Sequence, residues 1–547
     1  MQDTASLKLP ATTIDELPLS LQKIAHALEK DRYLKPADMR RIVLEAQVQV
    51  DDLLPWSDFD HPVTDSYGRR LIYQGDNFEI MTMSWAPGDF STIHDHGYTQ
   101  WGCVQVFGPA EHATFRMDDQ SITTLARWQM KPGEAIGVHH DLLHQMGNAT
   151  DEHFLTLHVY GEPEDIDNVT GDARILDLEH QEIQLVDGGV FFALPEESIK
   201  KTLPAPPADF PTRLRHLTEL ARRLHKMDQA GQNDTGRSAL DVLQLIEAPS
   251  QQESLLSCLR SHTDDHGHHT SSVFWRNLIW ELKEAAKLQN TIARQEQASD
   301  NFHRYAELYD AVIGQPCLDD FMSNYLRFVD KKYRKWQDAT VLSLGVGTGL
   351  TEQFLQDELG VRKENIYGID ISAAMVEVAR RRLRADQGDI LTLDPEVQTW
   401  DIAYSGLNVF HYLPFEHLNE AISRTAAVIN PGGLFVGDFI TPDHIRWYPN
   451  VLISEDEQII SLRTPRLIEE NGRMFQESEI INIDFRDGRM GVSYAGKHKR
   501  FLPPLHRIRM AFEQHFADVT LYDAFSLQPI PEWADSCPST RYVVVAR

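Results

Sequence analysis

Residues 339 to 350 read Ala-Thr-Val-Leu-Ser-Leu-Gly-Val-Gly-Thr-Gly-Leu, a short apolar run followed by glycines at 345, 347 and 349. The run predicts a buried strand, and the glycines predict a tight turn out of it where a cofactor can approach the main chain. Residues 351–359 have helical character, and Ile366-Tyr-Gly-Ile-Asp370 ends the next strand in an acid placed for a ribose diol. Further strands are expected at 400–408 and 541–547, the last closing the sheet, with 428–436 as the turn into the fifth strand. Strands alternating with helices from 301 to 547 predict an α/β domain built on a doubly wound, Rossmann-like parallel sheet.

In this region the chain resembles the class I methyltransferases that use S-adenosylmethionine. Gly345, Gly347 and Gly349 match the family's first motif and Asp370 its ribose-binding acid, while Ile371-Ser-Ala-Ala-Met375 is similar to the stretch beside the adenine. Asp389, in Gln387-Gly-Asp-Ile390, is similar to the acid that contacts the adenine amino group. The resemblance implies methyl transfer with S-adenosylmethionine as cofactor. Ser343 departs from it, since the family often has an acid there, at the amino-acid end of the cofactor. Nicotinamide binding is the alternative, because dehydrogenases also carry glycines and an acid. The Gly-x-Gly-x-Gly spacing and the Asn430-Pro-Gly-Gly433 turn favour methyl transfer. Residues 302–310 look like an amino-terminal lid. Residues 455–505 read as an antiparallel insertion able to roof a substrate pocket, in which Tyr494, Lys497 and Arg500 are candidates to touch substrate, with a solvated hairpin face the preferred account of each. His411, Tyr412 and His444 are positional candidates for a base.

The other informative stretch is Ser91-Thr-Ile-His-Asp-His-Gly-Tyr-Thr-Gln-Trp-Gly-Cys103. Side chains of a strand alternate with period 2, so His94 and His96 share a face and Asp95 takes the other. Two imidazoles on one face suit a first-row divalent metal, and His140 or His144 offers a third. From Tyr67 to Phe192 short strands are punctuated by Gly and Pro, which predicts an all-β barrel. Residues 13–54 carry helical periodicity and are expected to pack against it.

Here the chain resembles the cupins of the cysteine dioxygenase (thiol dioxygenase) family, over residues 10–195. Tyr67-Gly-Arg69 looks like the Tyr-x-Arg element whose arginine holds the substrate carboxylate, with Arg70 as competitor. His144-x-x-x-Asn148 looks like the third-ligand element, so His144 is preferred to His139 or His140. Thr156-Leu-His-Val-Tyr160 is similar to the Ser-Leu-His-Leu-Tyr strand beside the metal. The resemblance implies Fe(II) on His94, His96 and His144, and a carboxylate-bearing thiol at Arg69 and Tyr67. It also implies O2 as co-substrate, Tyr160 with His158 as catalytic residues, and a sulfinate product. Trp101-Gly102 stand where the mammalian type has the cysteine that crosslinks to the tyrosine. No crosslink is therefore expected from Cys103, and Trp101 is expected to reshape the pocket.

With 547 residues the chain exceeds one core and is expected to be multidomain. The division is 1–200 for the cupin, 201–298 for a proline-rich linker and helical connector, and 299–547 for the methyltransferase. Residues 203–211, Leu-Pro-Ala-Pro-Pro-Ala-Asp-Phe-Pro, read as a stiff linker, with connector helices at 213–230, 239–261 and 273–297. Ser261-His-Thr-Asp-Asp-His-Gly-His-His-Thr270 reads as a solvated loop rather than a second metal site. A formal charge of −30 argues against nucleic acid and anionic membrane as partners. Four scattered cysteines and no apolar leader fit a reducing cytoplasm. The expected whole is a bifunctional enzyme that oxygenates a small thiol and methylates the same or a related sulfur metabolite. The alternative keeps the cupin as a metal-containing binding or sensing module, and a third reading uses the metal as a Lewis acid without oxygen.

Overall fold

The computed structural model describes residues 8–166, 168–292, 302 and 305–547. It forms two compact units, Met1–His262 with Ser271–Gln295, and Thr263–Thr270 with Glu296–Arg547.

The first unit is built on antiparallel strands β1 (Gly68–Gln74), β2 (Phe78–Trp85), β3 (Trp101–Val106), β4 (Glu111–Met117), β5 (Ile122–Gln129), β6 (Ala135–Val138), β7 (His144–Gly147), β8 (Phe154–Gly161), β9 (Ala173–Asp177), β10 (Glu182–Val186) and β11 (Ile199–Pro204). They form a five-stranded sheet in the order β1-β2-β8-β3-β6 and two three-stranded sheets, β5-β4-β7 and β11-β10-β9. The small sheets are stitched together by the histidine stretch, because His94 pairs with both His144 and Ile175 through single bridges.

Strand β8 shows how the sequence sorts its side chains. All eight of its residues are buried, and the period of 2 divides them between two cores. Leu155, Leu157 and Val159 join Trp101 and Cys103 in a cluster closed by Leu21, Ile24, Met39 and Val43. Those four come from the amphipathic helices Leu19–Lys30 and Pro36–Ala46. Burying each such aliphatic side chain is worth about 1.5–3 kcal/mol. Thr156, His158 and Tyr160 take the opposite face, where Tyr160 packs with Met81, Met83 and Val104.

The proline-dense segment expected as a linker is hydrogen-bonded into this same unit. Ile122 N donates to Pro207 O (2.9 Å) and Asp209 N to Ile122 O (3.0 Å). It delivers the chain to helix Phe210–Ala230, whose first turn is capped by the Asp209 carboxylate and which stops at Gly231 in a left-handed conformation. Helices Ala239–Ile246, Ser250–His262 and Ser272–Ile292 follow. Residues 293–297 of the expected last connector helix lie outside the described residues.

In the second unit strands β12 (Val341–Leu344), β13 (Ile366–Asp370), β14 (Arg384–Gln387), β15 (Trp400–Ser405) and β16 (Ile429–Ile440) are parallel. After β16 come β17 (Val451–Ile453), β18 (Ile459–Glu470), β19 (Arg473–Asp484) and β20 (Gly491–Phe501), an antiparallel sheet of their own. Strands β21 (Val519–Asp523) and β22 (Arg541–Ala546) complete the main sheet in the order β14-β13-β12-β15-β16-β22-β21. Strand β22, expected to close the sheet, lies inside it. Its run Tyr542 to Ala546 is buried on both faces, which suits an interior position. Separate apolar cores cover the two faces of the sheet. The expected lid, 302–310, is only partly within the described residues. Its Tyr305 and Leu308 pack against Ile459, Ile480 and Ala495 of the inserted sheet. The His- and Asp-rich loop is a short turn closed by the bridge Thr263↔His269, with Gly267 O accepting from Asn450 N and Val451 N. No helix among the described residues is long and apolar enough to cross a membrane.

Candidate functional site

In the first unit His94, His96 and His144 are buried and each offers a ring nitrogen within 4.8 Å of the others. The route differs from the expectation of one regular strand. Residues 95–98 leave the ladder after the His94 bridge and turn at Gly97, at φ +55°, where a Cβ would sit 2.0 Å from Gly171 O. The two imidazoles converge because the backbone turns, not because a pleat alternates.

The nitrogens sort themselves by partner. His94 Nδ1 donates to Thr92 O (2.9 Å), leaving Nε2 with its lone pair. His144 Nδ1 lies 2.8 Å from His112 Nε2, and His144 Nε2 has no hydrogen-bond partner. Neither nitrogen of His96 has one. Burial holds His94 down to about 4 and, with the neighbouring imidazoles, holds His96 and His144 well below 6.5. Three neutral imidazoles with unpartnered buried nitrogens facing one point fit a divalent transition metal. His140 is half-exposed and pairs with Asp141 (3.1 Å), in a separate group with His139. Asp95 accepts from Arg174 N (2.8 Å) and its guanidinium, a structural role.

Beside the imidazoles runs a hydrogen-bonded line. Trp85 Nε1 donates to Thr156 Oγ1 (2.9 Å), Thr156 Oγ1 meets His158 Nε2 (2.7 Å), and His158 Nδ1 meets the Tyr160 hydroxyl (2.7 Å). Burial raises the Tyr160 phenol well above its ordinary value, so it is a proton donor at every ordinary pH. Tyr67, Arg69, His94, His96 and Tyr160 line one narrow cavity. Arg69 lies near Glu79 (3.9 Å) and Thr170 Oγ1 (3.3 Å), whereas Arg70 turns away to Asp58 (2.7 Å). Tyr67 is stacked on Trp85, accepts from Val190 N (3.3 Å), and is pushed by burial up to about 12. The expectation for Trp101 is corrected here. It packs with Cys103 on the helix-facing side of the sheet, its indole N–H bound to Arg32 O (3.0 Å), and does not line the cavity. Gly102, opposite Tyr160 in register, leaves the room that a side chain would fill.

Sequence reasoning missed what braces His144. Arg215 meets Glu111 (2.7 Å), Glu219 (3.3 Å) and Glu281 (3.4 Å), and Arg127 meets Glu111 (2.7 Å) and Glu281. Gln145 joins this buried network to the histidine stretch by donating to Ser91 O (2.8 Å) and to Glu219. Except for Arg215 and Glu219, four residues apart on one helix, the charges lie far apart in sequence, so no local spacing announces the network.

In the second unit Gly345, Gly347, Asp370, Ile371 and Asp389 line one cavity of about 470 Å³. Gly349 is not on its wall. At φ +78°, with Leu383 2.5 Å from where a Cβ would stand, it serves the strand-to-helix turn. Asp370 accepts from Gly347 N and Ser372 N (both 2.9 Å), and Asp389 accepts from Leu391 N (2.9 Å). Ile371 exposes 71% of its surface at the rim, an apolar plate against which a flat ring can lie. The acid missing at Ser343 arrives from the next helix. Ser343 Oγ donates to Glu352 Oε1 (2.6 Å), Oε2 is unpartnered, and Glu352 lines the cavity. Burial pushes this carboxyl up to about 7. Of the candidate bases, His411 is spent on the backbone, between Phe501 O (2.6 Å) and Ile440 N (3.0 Å). Tyr412 reaches the cavity and His444 a neighbouring one.

A mostly parallel sheet in this order, with β22 antiparallel to its neighbours and a glycine turn and an acid at adjacent strand ends, defines a nucleoside-cofactor domain of the α/β class. Residues 341–433 match the family model described as a methyltransferase domain. Among solved structures, an S-adenosylmethionine-dependent methyltransferase from Clostridium acetobutylicum ATCC 824 is similar at 14% identity. The match covers 45% of this chain and 98% of that one, with a TM-score of 0.35. DesVI of Streptomyces venezuelae matches at 18% identity over 46% and 100%, TM-score 0.34, and the CcbJ methyltransferase of Streptomyces caelestis at 18% over 39% and 84%, TM-score 0.32. The family match alone places a methyltransferase domain within the second unit, at residues 341–433.

Proposed function

We propose that the chain is a bifunctional enzyme of small sulfur metabolites. Its second unit transfers a methyl group from S-adenosylmethionine, and its first unit oxygenates the sulfur of a small, carboxylate-bearing thiol with non-haem Fe(II) and O2. The observation that carries the second part is the convergence of three neutral imidazoles beside one narrow cavity, which His94, His96, Arg69 and the hydrogen-bonded Tyr160 line. His94, His96 and His144 would hold the iron, whose chemistry when bound is to acidify a thiol and activate dioxygen.

The chain's own residues do the rest. Arg69 presents a guanidinium to the substrate carboxylate, which fixes the sulfur end toward the imidazoles. Tyr160, kept protonated by burial and oriented through His158 and Thr156, donates a hydrogen bond into the cavity. Both oxygen atoms of O2 enter the product, thiol plus O2 giving sulfinic acid. In the second unit Asp370 and Asp389 hold the nucleoside and Glu352 faces the cofactor's ammonium end. Transfer then needs chiefly alignment of an acceptor lone pair with the methyl carbon, whose bonding pair returns to sulfur.

The test is oxygen uptake by the full chain, loaded anaerobically with Fe(II), against thiols bearing carboxylate, amine or imidazole groups. Mass spectrometry follows before and after S-adenosylmethionine is added. A thiol that consumes oxygen and an oxidised product that gains a methyl group support the reading. His96→Ala should abolish oxygen uptake and leave methylation intact. If no thiol consumes oxygen while an acceptor is methylated, the first unit is a binding or sensing module instead.

A further inference from the structure

A second cavity of about 720 Å³ adjoins the cofactor cavity in the second unit, with Tyr309 and Leu407 on the walls of both. Its charges are unusual. Arg463, on β18, is 3% exposed, and Arg500, on β20, is half-buried, yet among the described residues neither forms an ion pair with a carboxylate. Their partners are phenols. Arg463 Nη2 donates to the Tyr305 hydroxyl (3.2 Å) and Arg500 Nη2 to that of Tyr412 (2.8 Å), and both guanidiniums lie over the Tyr448 ring at 5.2 and 5.8 Å. The Nε of each is buried without a hydrogen-bond partner.

The third arginine on the wall, Arg541, is neutralised by Asp438. The one carboxylate lining the cavity, Asp320, is exposed. Tyr448 records the resulting field. Burial raises its phenol, but Arg463 and Arg500 outweigh burial and hold it below its ordinary value. Buried guanidiniums without counter-ions are costly in an empty site and become favourable when an anion arrives. Arg500, for which the sequence offers a substrate contact beside the preferred solvated face, lines this cavity with Arg463.

We infer that this cavity is an anion subsite for the methyl acceptor, in which Arg463 and Arg500 grip a carboxylate or sulfinate of the molecule being methylated. The placement rests on the methyltransferase reading of the adjoining cavity, since sharing Tyr309 and Leu407 brings an occupant up to the cofactor. Two forks of donors suit a planar or pyramidal oxyanion and reject its neutral amide. A product of thiol oxygenation carries such groups at both ends.

The experiment is calorimetric titration of the full chain, saturated with S-adenosylhomocysteine, with 3-sulfinopropionate, succinate and the neutral succinamide. Both anions should bind and succinamide should not. Arg463→Gln and, independently, the less buried Arg500→Gln should each weaken anion binding about 10-fold or more, leaving S-adenosylhomocysteine affinity unchanged. Tighter binding of the sulfinate than of succinate ties the acceptor to an oxidised thiol, and equal binding makes any carboxylate the handle; both support the subsite. Absence of anion binding, equal binding of succinamide, or indifference to both substitutions overturns it. Failure of the unsubstituted chain to bind S-adenosylhomocysteine overturns the cofactor reading, and the acceptor assignment with it.

Discussion

Glu219 tests how the first unit is braced, and Glu219→Gln is the perturbation, since it keeps the shape and removes the titrating proton. Burial raises this carboxyl from 4.5 to about 7 against the pull of Arg215. The native state therefore holds a proton that the unfolded state releases. A folded value above the unfolded one gives stability that is full below about pH 4.5 and lost as pH rises through about 7. With those two values, linkage gives a loss of about 1 kcal/mol at pH 5 and about 3 kcal/mol at pH 8. Between them the parent chain loses about 2–3 kcal/mol from this one group. The glutamine cannot titrate, so its unfolding free energy relative to the parent should shift by about 2–3 kcal/mol in its favour from pH 5 to pH 8. Any constant offset from placing the amide beside Gln145 and Arg215 cancels in that difference. Urea unfolding of the first-unit transition in both full-length proteins, across this pH range, measures it. Parallel pH dependences would mean that the carboxyl is ionised in the native state, neutralised by Arg215 and Arg127 despite its burial, and the account of the network would fail.

His112→Ala should weaken metal binding about 10- to 100-fold, by freeing His144 Nδ1, and competition with a chromophoric chelator reads it directly. Tyr160→Phe removes the hydroxyl at the end of the Thr156–His158 line; metal affinity should stay as it is while oxygen uptake falls about 100-fold or more. On the proposed reading that Asp370 holds the ribose, Asp370→Ala should weaken S-adenosylhomocysteine binding about 10- to 100-fold by calorimetry. Gly349→Ala should cost about 1–3 kcal/mol of second-unit stability without lining the cavity, since a Cβ there meets Leu383 in a left-handed backbone.

Local pattern made one class of features legible. The glycine turn and Asp370 lie on consecutive strands, so reading 339–370 in order is enough to bring Gly347 N and Asp370 together. The family resemblance marked Thr156, His158 and Tyr160, and period 2 on one strand puts the three on one face. Glu352 was missed because what singles it out is Ser343, nine residues earlier, in a hydrogen bond that no periodicity demands. Trp101 was misplaced because strand alternation leaves the sign of the face open; its packing against the amino-terminal helices decides it.

The sequence by itself determined the residue types at each strand end, the alternating faces of β8 and the turn that admits a cofactor, since these depend on neighbours along the chain. The family resemblance preferred His144 and left His140 open; the tertiary structure brings His144 to His94 and His96 through the reciprocal bonds His94 N to His144 O and His144 N to His94 O (both 2.9 Å). It also decided that Arg463 and Arg500 lie without carboxylate partners in one cavity, while Arg215 and Arg127 are matched by Glu111 and Glu281. Whether a charge is paired depends on which distant strands and helices meet, and desolvation makes that meeting matter.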